Sequence, residues 1–354
     1  MIFLCDCLSL NKSKYCKYLV WNEQHNNNSM CARVLWMFVI VKLACMILFP
    51  IIWVLLAMIP RLHSDVEQLF YALPATPQQR VFTNKIEFNN SGGHLQGVQP
   101  YFYKGQEYTY FSGSSSTYAY LAVADANEVK KLHKLMFKPF KHAGGFQISG
   151  NWLAVGIEDN DARTTSVVQI YNIADPLAEL GAPVATIERA GERERATAGA
   201  VAIQELDETL WVLVGDWSNR HVDFYKADIS ATTKQLVFHK QGEVDMINCS
   251  KDGWKNDVAR PYQNINLLKV SDHLYLVGLS RGEAGDVDIA DVFAIDGLSG
   301  SKPVLTKILS REFKAVPETR FVWGAGVSMD EQKRLTLYSC AQNIRNNVVV
   351  SLYR

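Results

Sequence analysis

The chain has 354 residues, 48% of them apolar, with 36 basic and 36 acidic side chains. That balance is uneven, because residues 1–64 hold six Lys/Arg against only Asp6 and Glu23. The remaining 290 residues are therefore mildly acidic and lack the general field that nucleic acid requires, so no nucleic-acid partner is expected.

Five of the seven cysteines (5, 7, 16, 31 and 45) lie in the first 45 residues, leaving Cys249 and Cys340 for the rest. No Cys-x-x-Cys occurs, which argues against a zinc site of the common spacing. Two unpaired thiols are the plainer reading of Cys249 and Cys340, and one disulfide between them the alternative. Residues 1–33 read as a cytoplasmic N-terminal segment. Residues 34–59 are apolar except for Lys42 and Pro50. At about 1.5 Å per residue the stretch spans about 39 Å as a helix, enough to cross a bilayer core of about 30 Å. The basic residues precede it, which predicts a cytosolic N-terminus and an extracytoplasmic body. An uncleaved signal anchor and a cleaved signal peptide both fit, and Ala57-Met58-Ile59 is a poor cleavage site. A linker is expected over 60–78 and a folded domain over 79–354.

After residue 90 one pattern recurs. It starts at His94-Leu95-Gln96-Gly97, His142-Ala143-Gly144-Gly145, Thr197-Ala198-Gly199-Ala200, Pro261-Tyr262-Gln263-Asn264 and Trp323-Gly324-Ala325-Gly326. Each start is followed by a second strand, a polar loop and an alternating third strand. The first unit predicts strands near 94–103, 108–113, 117–124 and 129–137. The second adds 152–156, 166–173 and 183–188, the third 210–215, 221–227 and 235–240, and the fourth 273–278, 287–295 and 304–310. The fifth has 334–339 and 348–353 and then ends without an outer strand, while an orphan strand, 79–88, lies upstream of the first unit. A period near 60 residues with four strands per unit predicts an all-β chain folded as a β-propeller. Five blades of four antiparallel strands are expected, closed by pairing 79–88 beside 348–353 so that no edge stays open. A β-sandwich is the competing fold, but it predicts neither the repeated starts nor the spare and missing strands.

In that architecture the inner-strand starts, the loops after second strands and the inter-blade connections share one mouth of the central channel. Candidate catalytic residues there are His94, His142, Glu158 and Asp216. Candidate ligand-binding residues are Trp217, Asn219, Arg220, Trp254, Arg260, Arg281, Arg320 and Trp323. Three tryptophans beside hydrogen-bonding groups are the usual make-up of a specific pocket. The connection 241–260 is expected to lie above the same mouth. Glu283, Asp286, Asp288 and Asp291 are close in sequence but lack the Asp-x-Asp-x-Asp-Gly frame of a calcium loop, so they read as a solvated strand entry and no metal or other cofactor is predicted. The lysines at 130, 131, 134, 138 and 141 read as a charged outer edge that deters sheet pairing.

Val168-Gln169-Ile170-Tyr171-Asn172-Ile173-Ala174-Asp175, followed by Pro176, resembles the repeat ending of bacterial extracytoplasmic β-propellers. At fold level the resemblance covers about 80–354. The expected function is a membrane-anchored or exported propeller that binds a small polar ligand or a partner protein at the mouth. Two alternatives stay open: a hydrolase or lyase for a carbohydrate-like substrate, and a structural platform in the cell envelope. In the enzyme alternative Glu158 and Asp216 serve as acid and base, His94 or His142 moves protons, and Arg260 or Arg320 holds an anionic group.

Overall fold

A computed structural model of the protein describes residues 63–88, 93–229, 236–251, 260–283, 285–298, 300 and 302–354. The apolar stretch 34–59 and Trp254 lie outside the described residues. Among the described residues no helix is long and apolar enough to cross a membrane.

The first element is helix α1 (Ser64–Ala72), inside the stretch expected to be a linker. Asp65 and Glu67 sit in its first turn, where carboxylates complement the helix dipole. Val66 and Phe70, four residues apart and so on one face, are fully buried, and with Leu73 they join a core cluster that includes Leu268, Val277, Phe313 and Phe321. Full burial of a side chain such as Phe70 contributes about 1.5–3 kcal/mol. Residues 64–73 are therefore part of the folded body.

Strand β1 (Gln78–Asn84) follows. A first antiparallel meander comprises β2 (Gly93–Tyr103), β3 (Gln106–Ser114), β4 (Tyr118–Ala124) and β5 (Glu128–Phe137). The second comprises β6 (His142–Ser149), β7 (Trp152–Glu158), β8 (Thr165–Asn172) and β9 (Ala185–Ala190). The third comprises β10 (Ala200–Leu206), β11 (Thr209–Gly215), β12 (His221–Asp228) and β13 (His239–Asp245). The two-residue β14 (Ser250–Lys251) runs parallel to the outer strand of the next meander. That meander is β15 (Asn264–Val270), β16 (His273–Arg281), β17 (Val287–Asp296) and β18 (Val304–Lys314). The last group is β19 (Arg320–Met329), β20 (Leu335–Cys340), the short β21 (Asn343–Ile344) and β22 (Asn347–Tyr353). The described residues are all-β apart from short helical segments, with the successive meanders of a β-propeller.

β1 pairs antiparallel with β22 from Gln78↔Leu352 to Thr83↔Asn347, and its end runs parallel to β5. Phe82, Val348, Val350 and Leu352 share one core cluster with Leu95, Phe111 and Tyr120 of the first meander. The other clusters likewise fill the spaces between consecutive meanders. This explains why β4 is buried at every position, while the outer strand β9 alternates strictly between buried and exposed.

The inner strands approach closely enough to need small residues. Gly145 stands opposite Ala200 as a parallel rung between β6 and β10, and Ala325 stands opposite Gly97 between β19 and β2. A Cβ on Gly145 would lie 2.6 Å from Asn264 Oδ1 and 2.8 Å from Gln263 O. Amide side chains span the axis. Gln147 Nε2 donates to Leu267 O at 2.7 Å, and its Oε1 accepts Ile203 N–H at 3.0 Å and Leu267 N–H at 2.8 Å. Asn264 Nδ2 donates to Gln96 O at 2.9 Å, and Gln99 Nε2 to Phe146 O at 3.3 Å. These bonds satisfy backbone groups on inner-strand edges that have no further strand to pair with.

Candidate active site at one end of the channel

The register of four strands aligns the mouth. His94 stands opposite Ser114, Ser114 opposite His142, and His142 opposite Glu158, forming one row across β2, β3, β6 and β7. Directly opposed residues of an antiparallel pair project from the same face of the sheet. His142 Nε2 accordingly lies 3.7 Å from Glu158 Oε1. Glu158 Oε2 accepts the Ala198 N–H at 3.1 Å, whereas Oε1 is buried without a hydrogen bond. The Glu158 side chain is 1% exposed and that of His142 13%, so His142 is the member of the pair that meets solvent.

Burial dominates the protonation of both groups. It raises the Glu158 carboxyl to about 7, against the opposing pull of the Ala198 N–H and of Arg163 and Arg189. It lowers His142 to about 4, helped by the positive fields of His94, Lys141 and Arg163. The distance would permit an ion pair, but in this dehydrated place neutral carboxyl and neutral imidazole are favoured between those two values. His94 is also held low by burial, and its Nδ1 lies 3.0 Å from Gln342 O. The Nδ1–H tautomer makes that bond and leaves Nε2 as an acceptor.

Asp216 has a different task. Its Oδ1 accepts His221 N–H at 3.0 Å and its Oδ2 lies 2.8 Å from His221 Nδ1, while its own N–H donates to His221 O at 3.1 Å. The carboxylate thus closes the 216–221 loop on His221. Asn219 is 2% exposed, is left-handed with φ +51°, and donates through Nδ2 to Tyr262 O. It braces the loop from inside.

A ledge adjoins the His142–Glu158 pair. The Arg163 guanidinium lies 3.8 Å from the centre of the Trp217 ring. Glu194 joins Arg163 and Arg220, with both N–O distances at 3.0 Å. Loops 159–164, 192–197 and 216–220 are held together by these bonds. Sequence reasoning placed Trp217 and Arg220 here but missed Arg163 and Glu194, which lie on loops with no repeated pattern, and the N–H of Ala198, a backbone donor that residue type does not reveal.

The remaining candidates are internal or scattered. Arg320 Nε bonds Asp288 Oδ1 at 3.0 Å, and its terminal nitrogens bond Gly285 O and Val287 O. Asp288 Oδ2 accepts Phe321 N–H at 3.0 Å. Arg260 is buried 3.6 Å from Asp291, which also receives Tyr262 OH at 2.7 Å and lies 2.9 Å from Lys307 Nζ. Arg320 thus ties the start of the fifth group to β17, and Arg260 is held against β17 of the meander it precedes. Arg281 is exposed at the end of β16, and Trp323 is half-buried in the irregular start of β19. Glu283 and Asp286 are exposed while Asp288 and Asp291 are buried in different ion pairs, so Asp288 and Asp291 are not part of a solvated strand entry. Among the described residues no group of three His, Cys, Asp or Glu converges as a metal site.

Residues 241–245, expected in the connection above the mouth, belong to strand β13, and Ser250–Lys251 pair along β18. Cys249 and Cys340 are not joined by a disulfide. On the basic edge, Lys131 reaches Glu179 at 2.5 Å, Lys141 reaches Asp161 at 2.9 Å, and Lys134 lies over the Tyr118 ring.

No protein-family model matches the chain, and no curated protein matches it. Among solved structures, the GH43_1 enzyme from Xanthomonas citri is similar at 10% identity and TM-score 0.47, over 82% of this chain and 92% of that one. The GH43 endo-arabinanase from Bacillus licheniformis is similar at 11% identity and TM-score 0.45, over 75% and 96%. The catalytic domain of the Coprinopsis cinerea GH62 α-L-arabinofuranosidase is similar at 9% identity and TM-score 0.44, over 79% and 98%. These are distant likenesses, and the fold assignment rests on the strand pairing given above.

Proposed function

We propose that the protein is a hydrolase or lyase acting on a hydroxyl-rich, carbohydrate-like substrate at the mouth, with His142 as the proton-moving group and Glu158 behind it. The observation that carries this reading is the buried pair itself: a neutral imidazole at the solvent edge, 3.7 Å from a carboxyl whose ionisation falls near pH 7. His142 takes one proton, from an attacking water or from a substrate carbon, and delivers it to the departing oxygen. Ionised Glu158 offsets the charge on the imidazole while it carries that proton, as in carboxylate–histidine dyads generally. The half-buried Trp217, with Arg163 over its ring and Glu194 beside it, favours a substrate that has both a flat apolar face and hydroxyls.

The test is turnover by the full chain on a panel of aryl glycosides, acylated sugars and uronate-containing polysaccharides. Glu158→Gln and His142→Gln should each lower kcat/KM by at least about a hundredfold while thermal unfolding stays cooperative. Turnover that both variants retain would remove the pair from the chemistry.

The ligand-binding reading has separate support in the Arg163–Trp217–Glu194–Arg220 ledge. Binding without turnover that is lost in Trp217→Ala would favour it.

Around this site we propose a closed ring of five blades. Its support is the pairing of β1 with β22 and the packing of that edge on the first meander. We also propose that the body is extracytoplasmic and membrane-anchored through residues 34–59, on the strength of their apolar run and the basic residues before it. Protection of the folded body from protease added to the cytosolic side of sealed membranes would test that orientation.

A further inference from the structure

The opposite end of the channel holds a cavity of about 350 Å³ that plays no part in the proposal above. Strand direction separates the two ends: the His142–Glu158 pair lies where inner strands begin, and this cavity lies where they finish. Its walls come from the ends of β2, β6, β10, β15 and β19. No carboxylate lines it, and Lys269 is its one charged lining residue. The rest of its polar lining is amide, hydroxyl and backbone, contributed among others by Gln147, Ser149, Asn151, Gln204 and Ser328.

Two features make this more than an unfilled end. The Gln147 amide is locked by three hydrogen bonds to backbone groups of β10 and β15, so the lining is preorganised. Phe102, which also lines the cavity, is 59% exposed at the point where β2 ceases to be buried. A large aromatic face left in water beside rigid, uncharged hydrogen-bonding groups matches a ring with one apolar face and an equatorial rim of hydroxyls. The volume suits one such ring rather than a chain of them.

We infer that this cavity is a binding site for a neutral polyhydroxylated ring, a monosaccharide or cyclitol, separate from the His142–Glu158 site. The inference does not depend on the enzymatic reading. Cationic ligands are disfavoured because Lys269 lines the cavity and no carboxylate does.

The test is saturation-transfer NMR and calorimetry on the full chain with glucose, xylose, arabinose and myo-inositol, up to tens of millimolar. At least one should bind with a Kd in the millimolar range or tighter. Phe102→Ala, a change at an exposed side chain, should weaken that binding about tenfold, and Ser149→Trp, which fills the cavity, should abolish it. Glu158→Gln should leave it unchanged. Binding lost in Glu158→Gln and kept in Phe102→Ala would move the ligand to the other end and overturn the inference. Absence of binding by all four compounds would overturn it too. Unfolding midpoints for Phe102→Ala and Ser149→Trp that match the parent keep a folding defect from being mistaken for loss of the site.

Discussion

His142 and Glu158 face each other directly across β6 and β7, sixteen positions apart in sequence and 3.7 Å apart at their side-chain ends. The hairpin between them is short, so the pair does not depend on how the meanders are arranged. What depends on the rest of the fold is the dehydration, because Ala198 and the loop before β10 cover the carboxyl. Chemistry and stability are therefore coupled at this pair.

Glu158 should make stability fall as pH rises. Its folded value, about 7, lies above the ordinary carboxyl value of 4.5. Its contribution is complete below about pH 4.5 and is lost progressively as pH climbs through 7, by about 3 kcal/mol in all. His142 acts in the opposite sense: lowered to about 4 from 6.5, it withdraws stability as pH drops from 6.5 towards 4. Glu158→Gln should therefore be stabilised relative to the parent at pH 8 and much less so at pH 5. Urea unfolding at the two pH values measures this, and an equal effect at both would contradict it.

The same carboxyl should shape the rate profile. If ionised Glu158 assists His142, kcat/KM should rise through an apparent pKa near 7 and then level off. That limb should vanish in Glu158→Gln, which keeps only a low, flat rate. A limb near 7 that survives the substitution would assign it to another group.

Arg320 should prove to be a stability residue rather than a ligand contact. Removing it leaves the fully buried Asp288 with only the Phe321 N–H as partner. Arg320→Ala should cost about 3–5 kcal/mol, as when one member of a buried ion pair is deleted. Arg281→Ala, at an exposed position, should cost less than about 0.5 kcal/mol. Chemical denaturation of the two variants gives the comparison.

Helix α1 offers a matched pair of changes on adjacent residues. Phe70 is fully buried and Tyr71 is 57% exposed. Phe70→Ala should destabilise by about 3–5 kcal/mol through the cavity it leaves. Tyr71→Ala should stay within about 0.5 kcal/mol. Comparable losses would mean that the helix is not anchored through its Val66–Phe70 face.

Much of the fold was legible because the signals were steric and local. The small residues chosen to align the units include Gly145 and Ala200, and these two form the rung between β6 and β10. The orphan strand was readable because an alternating segment with no unit of its own needs an edge, and β1 lies on β22. Failures came where structure is held by charge or by very short segments. Strand β13 was expected at 235–240 and runs over His239–Asp245, because its register is held by Lys240 to Asp223 and by Glu243 to Arg195 rather than by apolar alternation. Helix α1 has only nine residues, too few for its Val66–Phe70 spacing to stand out from a loop.

Strand order likewise carries the row of His94, His142 and Glu158 across β2, β3, β6 and β7. Which groups remain chemically available was not readable. Asp216 is taken up by His221, Arg320 by Asp288 and Arg260 by Asp291, and each partner sits across a turn or on a neighbouring meander. Repeats report where backbones run. They are silent on pairings that occur once.

Gln147 ties β6 to β10 and β15 through a single amide, by way of Ile203 and Leu267. Three inner strands thus share one side chain as a common fastening. Loosening it would strand donors and acceptors on two neighbours together, so a change at this position should be felt by three meanders and not by one.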